Sequence, residues 1–339
     1  MKSRQRRPFQ ISKLAEDLEL DVDDDPVHAI LGHCEKIIAE MMVDIGDYQT
    51  LSQMLDWIAN KVGTTFEMIR TDDELREVQE RYLQRNERGF VQLEKDLSDE
   101  VFGQTIKLRN QEPWEQPYVS VIDCRGSKAT RAYFTKWHEI AHLLTMTNQM
   151  RLVFRRTHNS VSKQDPEERL MDEIAGKFGF YPPLVHRHIT DEISFELIED
   201  MRRQLCPEAS LLSSMINFIK YWPTPCILLR AEMGYRRDEE SNLAQQGFFF
   251  LDPPEAALRA IEVSANEKAR QERFTIHENM RVPEKSVVSQ VFFGNSLSGV
   301  ANEDLSWWET SKGMRLPART IRVKARRIAQ SGEALIFPL

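Results

Sequence analysis

Helical patterns dominate the first half of the chain. Apolar side chains at helical spacing, together with helix-start and helix-stop residues, predict helices over 26–45, 50–63, 72–89, 128–147 and 166–181. Shorter runs rich in β-branched and aromatic residues predict strands at "TTFEMIR", "VFGQTIKL" and "YVSVIDC", and the proline-bearing "NQEPWEQP" predicts a turn between the last two. This mixture predicts an α+β fold.

The pattern changes after the proline-rich "YWPTP" near Trp222. Strand-like runs then dominate, at "CILLRAEM", "GFFFL", "VVSQVFF", "TIRVKARRI" and "ALIFPL", with one helix-like stretch at "PPEAALRAIEVS". The predicted organisation is an N-terminal arm at 1–25, a first domain at 26–183, a helical linker at 184–222 and a second domain at 223–339.

Composition narrows the class of protein. With 339 residues the chain has room for two domains, and its formal charge of −8 argues against nucleic-acid binding over the whole surface. No apolar run approaches the roughly 20 residues of a membrane-spanning helix, so no membrane partner is expected. Four widely separated cysteines predict reduced thiols and a cytoplasmic location.

The stretch "YFTKWHEIAHLLT" carries the clearest chemical signal. His138 and His142 are four residues apart, so a helix projects both from one face, where they can share a metal ion. Glu139 follows the first histidine, within reach of a water molecule at that metal. This HExxH arrangement is typical of zinc peptidases. The alternative is an ordinary amphipathic helix with solvated histidines.

A catalytic zinc needs a third protein ligand. Glu168 is the best candidate, because Asp172 lies one turn further along the same predicted helix. Asp172 would then orient a ligand histidine through a ring N–H, with His138 the expected partner. Glu167 and Glu173 are the competing ligands. A plain helix start with acidic residues is the structural alternative.

"FTKWHEIAHLL" followed by "EERLMDEIAGKFGFYPP" resembles the ImmA/IrrE family of metallo-endopeptidases over about residues 118–183. The resemblance implies a zincin-like peptidase domain, with zinc bound by His138, His142 and Glu168 and with Glu139 as general base. Characterised members cleave a helix-turn-helix repressor, which implies a transcriptional repressor as the protein substrate and a role in a stress response. Lys136 and Trp137 replace the small apolar pair usual before the first histidine.

Residues 223–339 are similar, more weakly, to the sensor-like GAF domain of the radiation-response branch of that family. The similarity implies a smaller α/β domain that receives a small-molecule signal, joined to the peptidase domain by the helical linker. Two other functions stay open at this point. One is a DNA-binding regulator with a mainly structural zinc, and the other is the protease effector of a defence or toxin system.

Two features of the chemistry are not fixed by the sequence. Tyr181, His186 and His158 are the candidates for stabilising an oxyanion. The charged residues of "TIRVKARRI" alternate with apolar ones, so they share one strand face. A solvated face is the favoured interpretation, and a weak contact with DNA is the alternative.

Overall fold

A computed structural model describes residues 9–21, 25–43, 50–97, 101–146, 153–157, 165–189, 192–236, 255–310 and 313–339, with only the backbone of 153–157. The chain divides into two units. The first comprises Met1–Leu184 and Met201–Leu211, and the second Val185–Asp200 and Leu212–Leu339. The mixture of helices with two sheets confirms the α+β prediction. The predicted domain bounds remain predictions.

The α-helices are α1 Phe9–Asp17, α2 Pro26–Val43, α3 Leu51–Lys61, α4 Asp72–Gln84, α5 Leu93–Asp96, α6 Ala132–Leu144, α7 Pro166–Gly179, α8 Pro182–His186, α9 Phe195–Leu205, α10 Leu211–Lys220, α11 Glu267–Gln271 and α12 Val287–Phe293. The strands are β1 Thr64–Ile69, β2 Val101–Lys107, β3 Tyr118–Asp123, β4 Val153–Thr157, β5 Ile227–Gly234, β6 Ala257–Ala265, β7 Ser298–Asp304, β8 Thr320–Ile328 and β9 Ser331–Pro338. No helix among the described residues has the length and apolar character needed to cross a bilayer.

Local sequence explains several helix ends. Thr50 and Gln53 form a capping box at the start of α3, and the residue after its C-cap is Gly63, with φ +80°. Asp165 caps α7 by accepting a hydrogen bond from the Glu167 N–H at 2.9 Å, and Pro166 occupies the first helical position. The third ligand candidate therefore stands in the first turn of a well-defined helix.

The sheet of the first unit has the order β1-β3-β2-β4. β1 runs parallel to β3, whereas β2 is antiparallel to both β3 and β4. The helix α6 packs across β2, β3 and β4, and every side chain of α6 except that of Phe134 is buried. An apolar cluster from α4, α5 and the strands, including Leu75, Leu93 and Val121, forms a separate part of the core. The metal-site helix is thus part of the core.

Two stretches of the first unit differ from the sequence prediction. Residues 9–17, assigned to the arm, form α1 and bury Ile11 and Ala15. The connection after the HExxH helix, for which the sequence pattern predicts no strand, contains β4. The pairing of β4 with β2 joins segments distant in sequence, which the basic, polar stretch around β4 does not reveal.

The second unit contains an antiparallel sheet in the order β6-β5-β9-β8-β7. Most of "PPEAALRAIEVS", predicted as helix-like, instead belongs to β6, which pairs with β5 along its length. Residues 287–293, predicted as a strand, form α12. Ser286 caps this helix, and the buried Glu303 carboxylate accepts hydrogen bonds from the Ser286 hydroxyl and the Val287 N–H. The predicted strand "GFFFL" lies outside the described residues.

Two of the three charged side chains on this face of β8, Lys324 and Arg326, are largely covered, contrary to the favoured interpretation of a solvated face, whereas Arg322 is 37% exposed. Lys324 pairs with Glu192 at 2.7 Å and donates to the backbone oxygen of Ile193. Arg326 pairs with both Glu199 and Glu333. These partners belong to the same unit and offset the charges of Lys324 and Arg326. A weak contact with DNA stays a prediction.

Candidate metal centre

Two helices bring the predicted ligands together. α6 supplies His138 and His142, whose side chains are 1% and 4% exposed, and the first turn of α7 supplies Glu168, at 26%. The Nε2 atoms of the histidines are 3.2 Å apart. The Glu168 carboxylate lies 3.2 Å from Nε2 of His138 and 3.6 Å from Nε2 of His142. The three donors form one compact group that could hold a metal ion.

These distances fit tetrahedral coordination. An ion bound at 2.0–2.1 Å by tetrahedral ligands separates its donor atoms by about 3.3 Å, close to the three spacings observed here. Two imidazole nitrogens and a carboxylate facing one point form an electron-rich cluster, which a cation would stabilise. Two histidines and one glutamate suit zinc, although imidazole also binds other first-row metals.

Asp172 lies behind the first ligand. Its Oδ1 is 2.9 Å from Nδ1 of His138. Because an ionised carboxylate only accepts hydrogen bonds, this contact assigns the imidazole hydrogen to Nδ1 and leaves the Nε2 lone pair facing the donor group. Because Glu168 and Asp172 lie one turn apart on α7, the carboxylate of Glu168 faces Nε2 of His138 and that of Asp172 contacts Nδ1.

Asp172→Asn is expected to weaken zinc binding by about 10- to 100-fold, because the variant no longer holds the imidazole of His138 with a charged acceptor. Competition with a chromogenic chelator measures the change. Glu173→Gln, on an exposed side chain of the same helix, is the matched control and should bind as the wild type does. Equal affinities for all three proteins would contradict the orienting role.

Glu139 faces the sheet and is fully buried. Its Oε2 accepts a hydrogen bond of 2.6 Å from the Thr105 hydroxyl of β2. Gly103, two residues earlier on β2, leaves the necessary space, since a Cβ there would lie 2.9 Å from Glu139 Oε1 and 2.7 Å from Thr135 Cγ2. The sequence analysis missed this contact. Alternation places positions 103 and 105 on one strand face, but their meeting with α6 depends on tertiary packing.

One oxyanion candidate, Tyr181, does not lie at this cluster. Tyr181 follows the C-terminal end of α7, which places it about 20 Å along the helix axis from Glu168. The Nε2 atom of His186 lies 2.7 Å from the backbone oxygen of Tyr221, in the second unit. His158 lies outside the described residues. The length of α7 therefore separates Tyr181 from the donor group, which no local sequence pattern indicates.

An ion-pair network lies where β3 ends, just before the metal-site helix. Both oxygens of the buried Asp123 carboxylate accept hydrogen bonds from Arg125, and Oδ2 also accepts one from Lys128 at 2.7 Å. Burial alone would raise the pKa of the Asp123 carboxyl, but these hydrogen bonds outweigh it and hold that pKa below its ordinary value. The network fixes the turn that enters α6.

Comparisons of the sequence with models of known protein families and with curated proteins gave no match. The functional interpretation therefore depends on the ligand geometry of α6 and α7.

Proposed function

We propose that the chain is a zinc-dependent endopeptidase that cuts a regulatory protein. The observation that carries the proposal is the convergence of His138, His142 and Glu168 at 3.2–3.6 Å, with Glu139 next to the first histidine on the same helix. Catalytic zinc sites use three protein ligands and keep one position open, whereas structural sites use four. Among the described residues, the donor group contains three, which favours a peptidase over a regulator with structural zinc.

In this mechanism the three ligands would hold the ion, and Asp172 would keep His138 in the tautomer that leaves its Nε2 free to bind. When bound, a divalent ion would supply Lewis-acid chemistry. The Glu139 carboxylate takes a proton from the attacking water, whose oxygen bonds to the carbonyl carbon. Glu139 then gives that proton to the leaving nitrogen as the C–N bond breaks.

The substrate class follows from the resemblance of residues 118–183 to the ImmA/IrrE family. We propose a helix-turn-helix transcriptional repressor as the substrate, cut inside the cell during a stress or defence response. In this proposal a small molecule that binds the GAF-like second unit controls the cleavage. An unrelated host protein as substrate would instead make the chain the effector of a defence system.

The test compares newly formed protein N-termini in source cells that express the wild type or Glu139→Gln, with and without DNA damage. Mass spectrometry of the termini is expected to show one or a few cuts that depend on Glu139. A cut in a repressor supports the full proposal, and a cut elsewhere supports the effector function. If no terminus depends on Glu139 under either condition, the proposed peptidase function is wrong.

A further inference from the structure

A line of buried hydroxyl groups crosses the first sheet and ends at Glu139. The Thr105 hydroxyl lies 2.7 Å from that of Ser120 on β3, and the Ser120 hydroxyl lies 2.8 Å from that of Thr64 on β1. The three side chains are at most 3% exposed. Three neighbouring strands, β1, β3 and β2, thus contribute one hydroxyl each, and the line ends at a carboxylate on the metal-site helix.

The charge of an ionised Glu139 determines which group donates and which accepts in each of these hydrogen bonds. An ionised carboxylate only accepts, so Thr105 donates its hydrogen to Glu139 and must accept from Ser120. Ser120 in turn accepts from Thr64 at 2.8 Å, a shorter contact than the 3.4 Å from the Thr64 hydroxyl to the Thr65 backbone oxygen. With Glu139 ionised, each hydroxyl is therefore a donor toward the carboxylate, and successive hydrogen bonds polarise one another in a low-dielectric interior.

Core packing alone does not require these hydroxyls. β-branched apolar side chains suit central strands, and a valine has nearly the shape of a threonine. Burying a hydroxyl is unfavourable unless it is hydrogen-bonded. At position 105 the hydroxyl meets a buried carboxylate, where a hydrogen bond to the charged group stabilises most.

Thr105 also limits where the carboxylate can lie. β2 approaches α6 closely at Gly103, which provides space for Glu139, and Thr105 binds Glu139 Oε2 from the same strand face. One strand therefore supplies both the space and the donor. A general base gains from such a fixed position, since its proton acceptor must stay aligned with the attacking water.

We propose that Thr105 is a positioning residue for Glu139, and that Ser120 and Thr64 hold the Thr105 hydroxyl in its donating orientation. The inference rests on the proposed peptidase function for its effect on rate. The hydrogen bond itself is measurable whether or not the chain cleaves protein.

Infrared spectroscopy tests the contact, with and without added zinc. The carboxylate band of Glu139 is obtained by subtracting the spectrum of Glu139→Gln from that of the parent protein. Thr105→Val is expected to shift this band, whereas Thr105→Ser keeps the hydroxyl and the wild-type band. Thr65→Val, which changes an exposed threonine of β1, is the matched control. An unshifted band in Thr105→Val would overturn the contact.

Kinetics on the cleaved protein test the consequence. Thr105→Val is expected to lower kcat by about 10- to 100-fold, the value of one hydrogen bond to a charged group, with KM and zinc affinity within about threefold of the wild type. Thr105→Ser should recover most of that loss. Wild-type kcat in Thr105→Val would overturn the positioning role, and so would an equal loss in Thr65→Val. An inactive wild type would instead contradict the proposed function, and the infrared result would still decide the contact.

Discussion

Glu139→Gln is expected to lower turnover of the cleaved protein by about 10²- to 10⁴-fold, the usual contribution of a positioned general base. Glutamine has almost the same shape as glutamate, and its side-chain oxygen can still accept the Thr105 hydrogen bond. The amide cannot take a proton from water. The rate should therefore fall while the fold and the donor group remain intact.

The zinc content of the variants distinguishes the role of Glu139 as general base from the role of the metal ligands. Glu139→Gln should retain the zinc content of the wild type, whereas His142→Ala should lose both zinc and cleavage, since it removes one of three donors. Turnover within tenfold of the wild type in Glu139→Gln would contradict the assignment of Glu139 as base. Zinc loss in that variant would mean that Glu139 stabilises the site rather than the reaction.

Asp123→Asn is expected to destabilise the first unit by about 3 kcal/mol at pH 7, because it removes the buried carboxylate that Arg125 and Lys128 share. Urea unfolding, followed through the transition of that unit, measures the difference. Asp72→Asn is the matched control. It removes an exposed carboxylate that pairs with the same arginine, so its effect should stay below about 1 kcal/mol.

The pH dependence of this difference has a definite sign. The folded-state pKa of Asp123 is lowered, so its stabilisation is fully present above the unfolded-state pKa of about 3.9 and is lost as the pH falls through the folded value. The gap between wild type and Asp123→Asn should be constant from about pH 7 to 5 and should narrow below about pH 4. A gap that widens on acidification would contradict the account.

The ligand residues could be found from sequence because their geometry is local. His138 and His142 share a helix face, as do Glu168 and Asp172, and helical periodicity alone predicts both pairs. Only the meeting of α6 with α7 is nonlocal. That meeting could still be predicted, because a catalytic zinc requires a third protein ligand.

The hydroxyl line and the errors in the second unit have a common cause. Thr105, Ser120 and Thr64 meet through strand pairing, which no local pattern encodes. Residues 257–265 have a helix-forming composition but form a strand, because they pair with β5. The β-branched residues of α12 favour a strand but form a helix, which Ser286 caps. Tertiary contacts override propensity at each of these positions.

The uneven exposure of the ligands bears on how an ion leaves the site. His138 and His142 stand on a helix that is buried along nearly its whole length, whereas Glu168 and Asp172 are partly accessible at the start of α7. For an ion held by these donors, we therefore expect release to begin at the first turn of α7 rather than at α6. The off-rate of zinc then reports local opening at that turn, and a sequence change beside Glu168 can alter metal exchange without altering equilibrium stability.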